Sequence, residues 1–152
     1  MVTALAIDLR TVVASVVDPE IPVLTIDDLG VLRSVETEGA QVIVTITPTY
    51  SGCPAMRQIE DDIATALSRQ GVESFEVRVT HKPAWSTDWV SEEGHRKLAE
   101  FGIAPPTGES EVLCPRCEAD NPRMVARFGS TACKALMVCS SCGEPFDYFK
   151  QY

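Results

Sequence analysis

The chain has 152 residues, 45% of them hydrophobic and 23% charged, which leaves room for one core of about 100 residues plus a small stapled appendage. The formal net charge is −9: residues 1–110 carry 17 acids against eight bases and residues 111–152 five of each, so neither part offers the basic footprint that nucleic acid requires. No run of about 18 apolar residues is present to cross a membrane, and six cysteines, four of them in metal-type pairs, suit a reducing cytoplasm better than a disulfide framework.

Leu5, Leu9, Val12, Val13 and Val16 share one helical face, which predicts an amphipathic helix over 3–17. The Asp8 and Arg10 that interrupt this stretch leave no apolar core for an export signal. Asp18-Pro19 ends the helix, because the residue before proline is pushed out of the α region. The acidic, proline-bearing segment Glu20–Gly30 reads as an ordered loop. Val31–Val35 and Gln41–Thr47, separated by the turn-like Thr37-Glu38-Gly39-Ala40, predict a β-hairpin. In Val42–Ile46 β-branched residues occupy both faces, as in a central buried strand.

A short loop, Pro48–Cys53, leads into a second helix with Pro54 at its first position, Met56, Ile59, Ile63 and Leu67 on one face, and Gly71 as its stop. Phe75, Val77 and Val79 alternate with polar residues, a strand that a helix crossover places parallel to its predecessor. Ser91 caps a third helix running to about Phe101, with Glu92 and Glu93 at its positive end. Gly102–Ser110 has linker composition. The fold class is therefore α/β, a small sheet covered by helices, followed by a C-terminal Cys₄ zinc ribbon.

The ribbon rests on Cys114-Pro-Arg-Cys117, 21 further residues, and Cys139-Ser-Ser-Cys142-Gly143. Two Cys-x-x-Cys knuckles at this spacing present four thiolates to structural Zn²⁺, and metal binding supplies much of the folding free energy of so small a segment. A rubredoxin-like iron site uses the same ligands, and a dithiol redox pair at Cys114/Cys117 leaves the second pair unexplained.

Cys53 stands apart. At the N-cap of the second helix, unpaired N–H groups and the helix dipole predict a depressed thiol pKa, and Gly52 before it allows close approach by a backbone or a metal. The competing reading is a small buried cap residue. Cys133 is surplus to the Cys₄ set: Lys134 beside it favours a thiolate, which makes it a candidate second thiol, and packing in the ribbon hairpin is an equal alternative. Asp18, Glu20, Asp27 and Asp28 cluster around the proline-bearing loop and could bind a hard cation, although Asp27 and Asp28 read more simply as helix-terminating acids of a solvated loop. His81 and His95, isolated in sequence, read as surface or hydrogen-bonded histidines rather than ligands. Trp85 and Trp89 either pack over the sheet or expose an aromatic patch.

Two stretches carry a family resemblance. Asp18-Pro19-Glu20 through Val31 resembles the "DPE" signature of the SufT-like iron–sulfur assembly family, and Thr47–Met56, containing Gly52-Cys53-Pro54, resembles its reactive-cysteine loop. The ribbon stretches Phe128–Leu136 and Cys142–Asp147 resemble the PaaD family, encoded in the bacterial phenylacetate-degradation cluster with the multicomponent phenylacetyl-CoA epoxidase. The resemblance implies an assembly domain over 1–105 and a ribbon over 111–152. It implies an accessory role in maturing the epoxidase's iron–sulfur reductase, with Asp18, Glu20 and Cys53 at the functional positions and Cys114, Cys117, Cys139 and Cys142 as ribbon ligands. The implied partners are the epoxidase components and the iron–sulfur assembly machinery, with a homodimer left open; the implied cargo is transient iron or an iron–sulfur cluster beside structural Zn²⁺. No Ser-His-Asp arrangement, phosphate loop or flavin fingerprint supports independent catalysis. An adapter subunit of the epoxidase and a thiol redox protein working through a Cys53–Cys133 disulfide remain alternatives.

Overall fold

Residues 8–50, 52–106 and 111–150 are described by a computed structural model. Residues 3–7 of the expected first helix, Ser51 of the loop before Cys53 and residues 107–110 of the linker lie outside them. The chain divides into two compact units, Met1–Trp85 and Ser86–Tyr152.

The first unit has α1 at Leu9–Ala14, which ends three residues earlier than the apolar spacing predicts. Asp8 sets its start, its carboxylate accepting from the Arg10 N–H and the Thr11 hydroxyl. Its end is set by competition for backbone groups. The Val16 carbonyl accepts from Ile26 N–H and the Asp18 N–H donates to the Leu24 carbonyl, so residues 16–18 join the following loop instead of continuing the helix. That loop is polar in composition but buries Ile21, Leu24, Ile26 and Leu29, each at most 2% exposed.

Strands β1, Leu32–Glu38, and β2, Gln41–Ile46, form the predicted antiparallel hairpin with Glu38 opposite Gln41. After the crossover helix α2, Ala55–Arg69, strand β3, Phe75–Val79, runs parallel to β2, giving the order β1-β2-β3. The central strand is the most buried, as its β-branched run requires. Helix α2 buries Ala55, Ile59, Ile63 and Leu67, a four-residue spacing that keeps one stripe against the sheet. Ala55 takes the core place expected of Met56, which is half-buried. Trp85 packs in the interior of this unit and donates its indole N–H to the Leu29 carbonyl at 2.8 Å, pinning the acidic loop from 56 residues away.

In the second unit a 3₁₀ turn, Thr87–Trp89, precedes α3, Glu92–Glu100, whose Ser91 cap accepts from the Gly94 N–H. The division between units assigns α3 to the ribbon side, whereas linker composition suggests a boundary after residue 105. The start of that linker is structured. Ile103–Ala104 forms β4, parallel to β7, Pro145–Phe149. With β6, Lys134–Cys139, and β5, Pro122–Ala126, the sheet order is β4-β7-β6-β5. Among the described residues no helix is long and apolar enough to cross a membrane.

Candidate functional site

Cys53 lies in the turn between β2 and α2, where its N–H donates to the Tyr50 carbonyl and its carbonyl accepts from Met56 N–H. α2 starts at Ala55 with Pro54 as its capping residue, one position later than predicted. Gly52 has φ +77°, a left-handed turn that a side chain would strain, but a Cβ there would meet nothing within 4 Å. The positive φ is the reason this turn takes glycine.

The half-buried thiol corrects the expected pKa. Burial pushes Cys53 above its ordinary value and the negative charge of Glu20 pushes it further. The Ala55 N–H and the side chains of Tyr50 and Thr49 pull it back without reversing the outcome. The helix-end effect is real, but a desolvated thiolate beside a carboxylate costs more than one N–H returns. At neutral pH and without a cation the group is a thiol.

Glu20 therefore bears on Cys53 electrostatically, although 33 positions separate them. Asp18 explains how Glu20 is held. The Asp18 side chain, 7% exposed, accepts from the N–H groups of Glu20 and Ile21 through one carboxylate oxygen, both at 2.8 Å. The remaining acids serve the loop. Asp27 pairs with Arg10 at 3.3 Å on the surface, whereas Asp28 is buried, not solvated, and exchanges hydrogen bonds with Thr25. Beside Cys53, Thr49 and Tyr50 also line a cleft of about 280 Å³ with Thr47, Pro48, His81 and Trp85. The Thr47 hydroxyl is buried there without a hydrogen-bond partner. Sequence reasoning passes over Thr47, Thr49 and Tyr50, whose hydroxyl-rich spacing just before Gly52-Cys53 is the available signal.

The ribbon cysteines converge independently. The sulfurs of Cys114, Cys117, Cys139 and Cys142 all lie within 4.8 Å of one another, with 3.8 Å between Cys114 and Cys142 and 3.5 Å between Cys117 and Cys139. Metal–sulfur bonds of about 2.3 Å give a tetrahedron with edges of about 3.8 Å, so Zn²⁺ fits this donor set. Each knuckle repeats one design. Cys114 Sγ accepts from the N–H groups of Arg116 and Cys117, and Cys139 Sγ from those of Ser141 and Cys142, at 3.4–3.5 Å. The Cys142 N–H, followed by that of Ser141, leads in pulling the Cys139 thiol down to about 6. At Cys117 the Ala119 N–H also lowers the pKa, but the hydrogen bond to Cys139, burial and the other two sulfurs carry the group up to about 12. The two share protons that a metal displaces. Zn²⁺ bound here supplies a cross-link, and the closed ligand set leaves no position for a substrate.

Comparison with known proteins bears on both sites. Residues 8–80 match the model of the iron–sulfur cluster assembly protein family, and residues 102–150 match the PaaD zinc beta ribbon domain. Over 94% of its length the chain is 45% identical to an Escherichia coli K12 protein described as one subunit of a "Putative 1,2-phenylacetyl-CoA epoxidase", covering 91% of that protein. The chain belongs to the PaaD family. An "Fe-S protein maturation auxiliary factor" of Porphyromonas gingivalis is 36% identical over 60% of the chain and 88% of its own length. Among solved structures, a domain of unknown function, DUF59, from Bacillus anthracis matches with TM-score 0.55 and 31% identity over 59% of this chain and 87% of that one. A conserved hypothetical protein of Thermotoga maritima gives TM-score 0.50 and 28% identity over 60% of this chain and 90% of that one.

Cys133 lies outside both sites of this PaaD-family chain. It is 4% exposed, with its sulfur 3.0 Å from the Thr131 hydroxyl oxygen. The neighbouring Lys134 is itself buried and directs its ammonium toward Asp147, 3.9 Å away. None of the six cysteines is in a disulfide.

Proposed function

We propose that this chain is an accessory protein of phenylacetate catabolism, which supports maturation of the iron–sulfur-containing phenylacetyl-CoA epoxidase system by holding iron or a cluster transiently at Cys53 and Glu20. The observation that carries this reading is the bearing of the Glu20 carboxylate on the Cys53 thiol, inside the segment that matches the assembly family. Without a cation the two groups disfavour each other's charge. A ferrous ion between them reverses the sign: the thiol releases its proton to water, and thiolate and carboxylate both become ligands. Two protein ligands hold such cargo loosely enough to pass it on. Asp18 acts as a positioning residue, since its carboxylate is engaged by the backbone N–H groups of the turn that carries Glu20. The zinc ribbon is the structural module, and the epoxidase components and the assembly machinery are the proposed partners.

The test replaces Cys53 by Ala or Ser and Glu20 by Gln in cells that make the epoxidase reductase. The purified reductase is then assayed for iron, sulfide and visible absorption. Loss of cluster in all three variants is expected; a reductase with its full complement overturns the mechanism. An adapter role is favoured by the naming of the Escherichia coli relative as part of the epoxidase itself. It predicts stable co-purification with the epoxidase components, unaffected by Cys53 replacement. The thiol redox alternative loses support from the raised Cys53 pKa and the burial of Cys133, because redox-active cysteines keep a low pKa and an open path.

A further inference from the structure

The β5–β6 hairpin differs in charge from the rest of the chain. From Asn121 to Gly143 there is no Asp or Glu, while the whole chain carries a net charge of −9. Strand β5 forms one edge of its sheet, so one row of its backbone N–H and C=O groups faces no strand. Along the strand and the bend that follows it, Arg123 and Arg127 flank the apolar Met124, Val125 and Ala126, with Phe128 next in the chain. Met124 is 52% exposed, Val125 48% and Phe128 63%. Neighbouring residues of a regular strand point to opposite faces, but the register shift between Met124 and Ala126 turns Met124 and Val125 outward in succession. Arg123 and Arg127 have no ion-pair partner among the described residues, whereas Arg78, Arg96 and Arg116 each engage a glutamate. Lys150 adds its charge beside the Phe128 ring, 4.1 Å from the centroid.

We propose that the β5 edge is a docking strip for an extended segment of another protein in which carboxylates alternate with aliphatic or aromatic side chains, added to the sheet as a fifth strand. Open main-chain groups give the pairing, Arg123 and Arg127 select the acids, and Met124, Val125 and Phe128 cover the apolar positions. Complementary charge picks this occupant. A second copy of this chain would bring the same acid-free strand against itself. A nucleic acid would find three cations on a molecule that otherwise repels phosphate.

The probe is a blocked octapeptide alternating glutamate and valine, titrated by amide NMR into the full-length chain with its ribbon metal bound. Binding is expected to protect β5 amides from exchange and to weaken about tenfold in Arg123→Glu/Arg127→Glu and in about 0.5 M salt. The milder Arg123→Gln/Arg127→Gln pair, checked for unchanged metal content, is expected to lose several-fold. A lysine–valine peptide is expected not to bind. The proposal is overturned if the acidic peptide fails to bind at millimolar concentration, or binds both arginine variants equally. It is also overturned if β5 protection appears only on self-association or with single-stranded DNA.

Discussion

Cys53 and Glu118 show how a single residue's environment departs from what its type suggests. For Cys53 the burial and the Glu20 charge outweigh the helix-end donors. The thiolate is the species that alkylates, so a raised pKa means that the iodoacetamide rate at pH 7.5 falls below that of a free cysteine and keeps climbing past the ordinary thiol range. Glu20→Gln removes one of the two raising influences and is expected to quicken alkylation at pH 7.5 by a factor of a few, read by mass spectrometry of the residue 53 peptide. An unchanged rate would separate Glu20 from the thiol. In the ribbon the two knuckles are matched bond for bond: the Glu118 N–H donates to the Cys114 carbonyl as the Gly143 N–H does to that of Cys139. Both positions have positive φ, +62° for Glu118 and +76° for Gly143, but only one of them is glycine. Glu118→Gly is expected to stabilise the metal-loaded form by about 0.5–1 kcal/mol and Gly143→Ala to cost about 1 kcal/mol, both measured by thermal unfolding at fixed zinc. The type of Cys53 and its place near a helix are legible in sequence. Its ionisation is not, because burial, and after it the charge of Glu20, reach the thiol only in the folded chain.

At the scale of elements, the loop after α1 holds the most information that periodicity cannot reach. Its acids and proline predict an ordered loop, and it is one; yet it buries Ile21, Leu24, Ile26 and Leu29 through turns whose spacing follows neither 3.6 nor 2. The same loop claims residues 16–18, which shortens α1 relative to its apolar pattern. Strand β4 is hidden for a related reason: two residues, Ile103 and Ala104, become a strand only because β7 passes more than 40 positions later. The hairpin, the crossover helix and the Ser91 cap are legible because each rests on local chemistry. Asp18 holds the loop together through its two backbone acceptor bonds in a buried place. Asp18→Ala strands those N–H groups and is expected to cost about 2–4 kcal/mol in urea unfolding. Asp18→Asn, which keeps an acceptor oxygen, is expected to recover most of the loss. Faster Cys53 alkylation in the alanine variant would show that the turn also positions Glu20.

For the whole molecule, the two units are stabilised by different means, and this makes the response to metal removal specific. The first unit has a conventional interior, with Val13, Leu24, Ile46, Ile59, Ile63 and Leu67 each no more than 1% exposed. Around the knuckles the ribbon buries one cluster of Ala104, Cys114, Met137, Cys139 and Phe146, two of whose five members belong to the four-cysteine set. Among the described residues only Ile103, Cys133, Ala135 and Phe149 add to it from the same sheet and its loops. A core this small does not offset the chain entropy of its ordered residues, each costing about 1–2 kcal/mol, whereas a structural zinc site contributes about 10–16 kcal/mol. Chelation of the full-length chain at neutral pH should therefore release the amides of β5, β6 and β7 to hydrogen exchange while β1, β2 and α2 keep their protection. Acid should reproduce the pattern, because protons compete with the metal for the four thiolates and lowering the pH favours the thiols. Exchange that rises equally in both units after chelation would mean that the ribbon metal supports the entire fold. Exchange that rises in neither would mean that the ribbon packs without it, against the size of its apolar cluster.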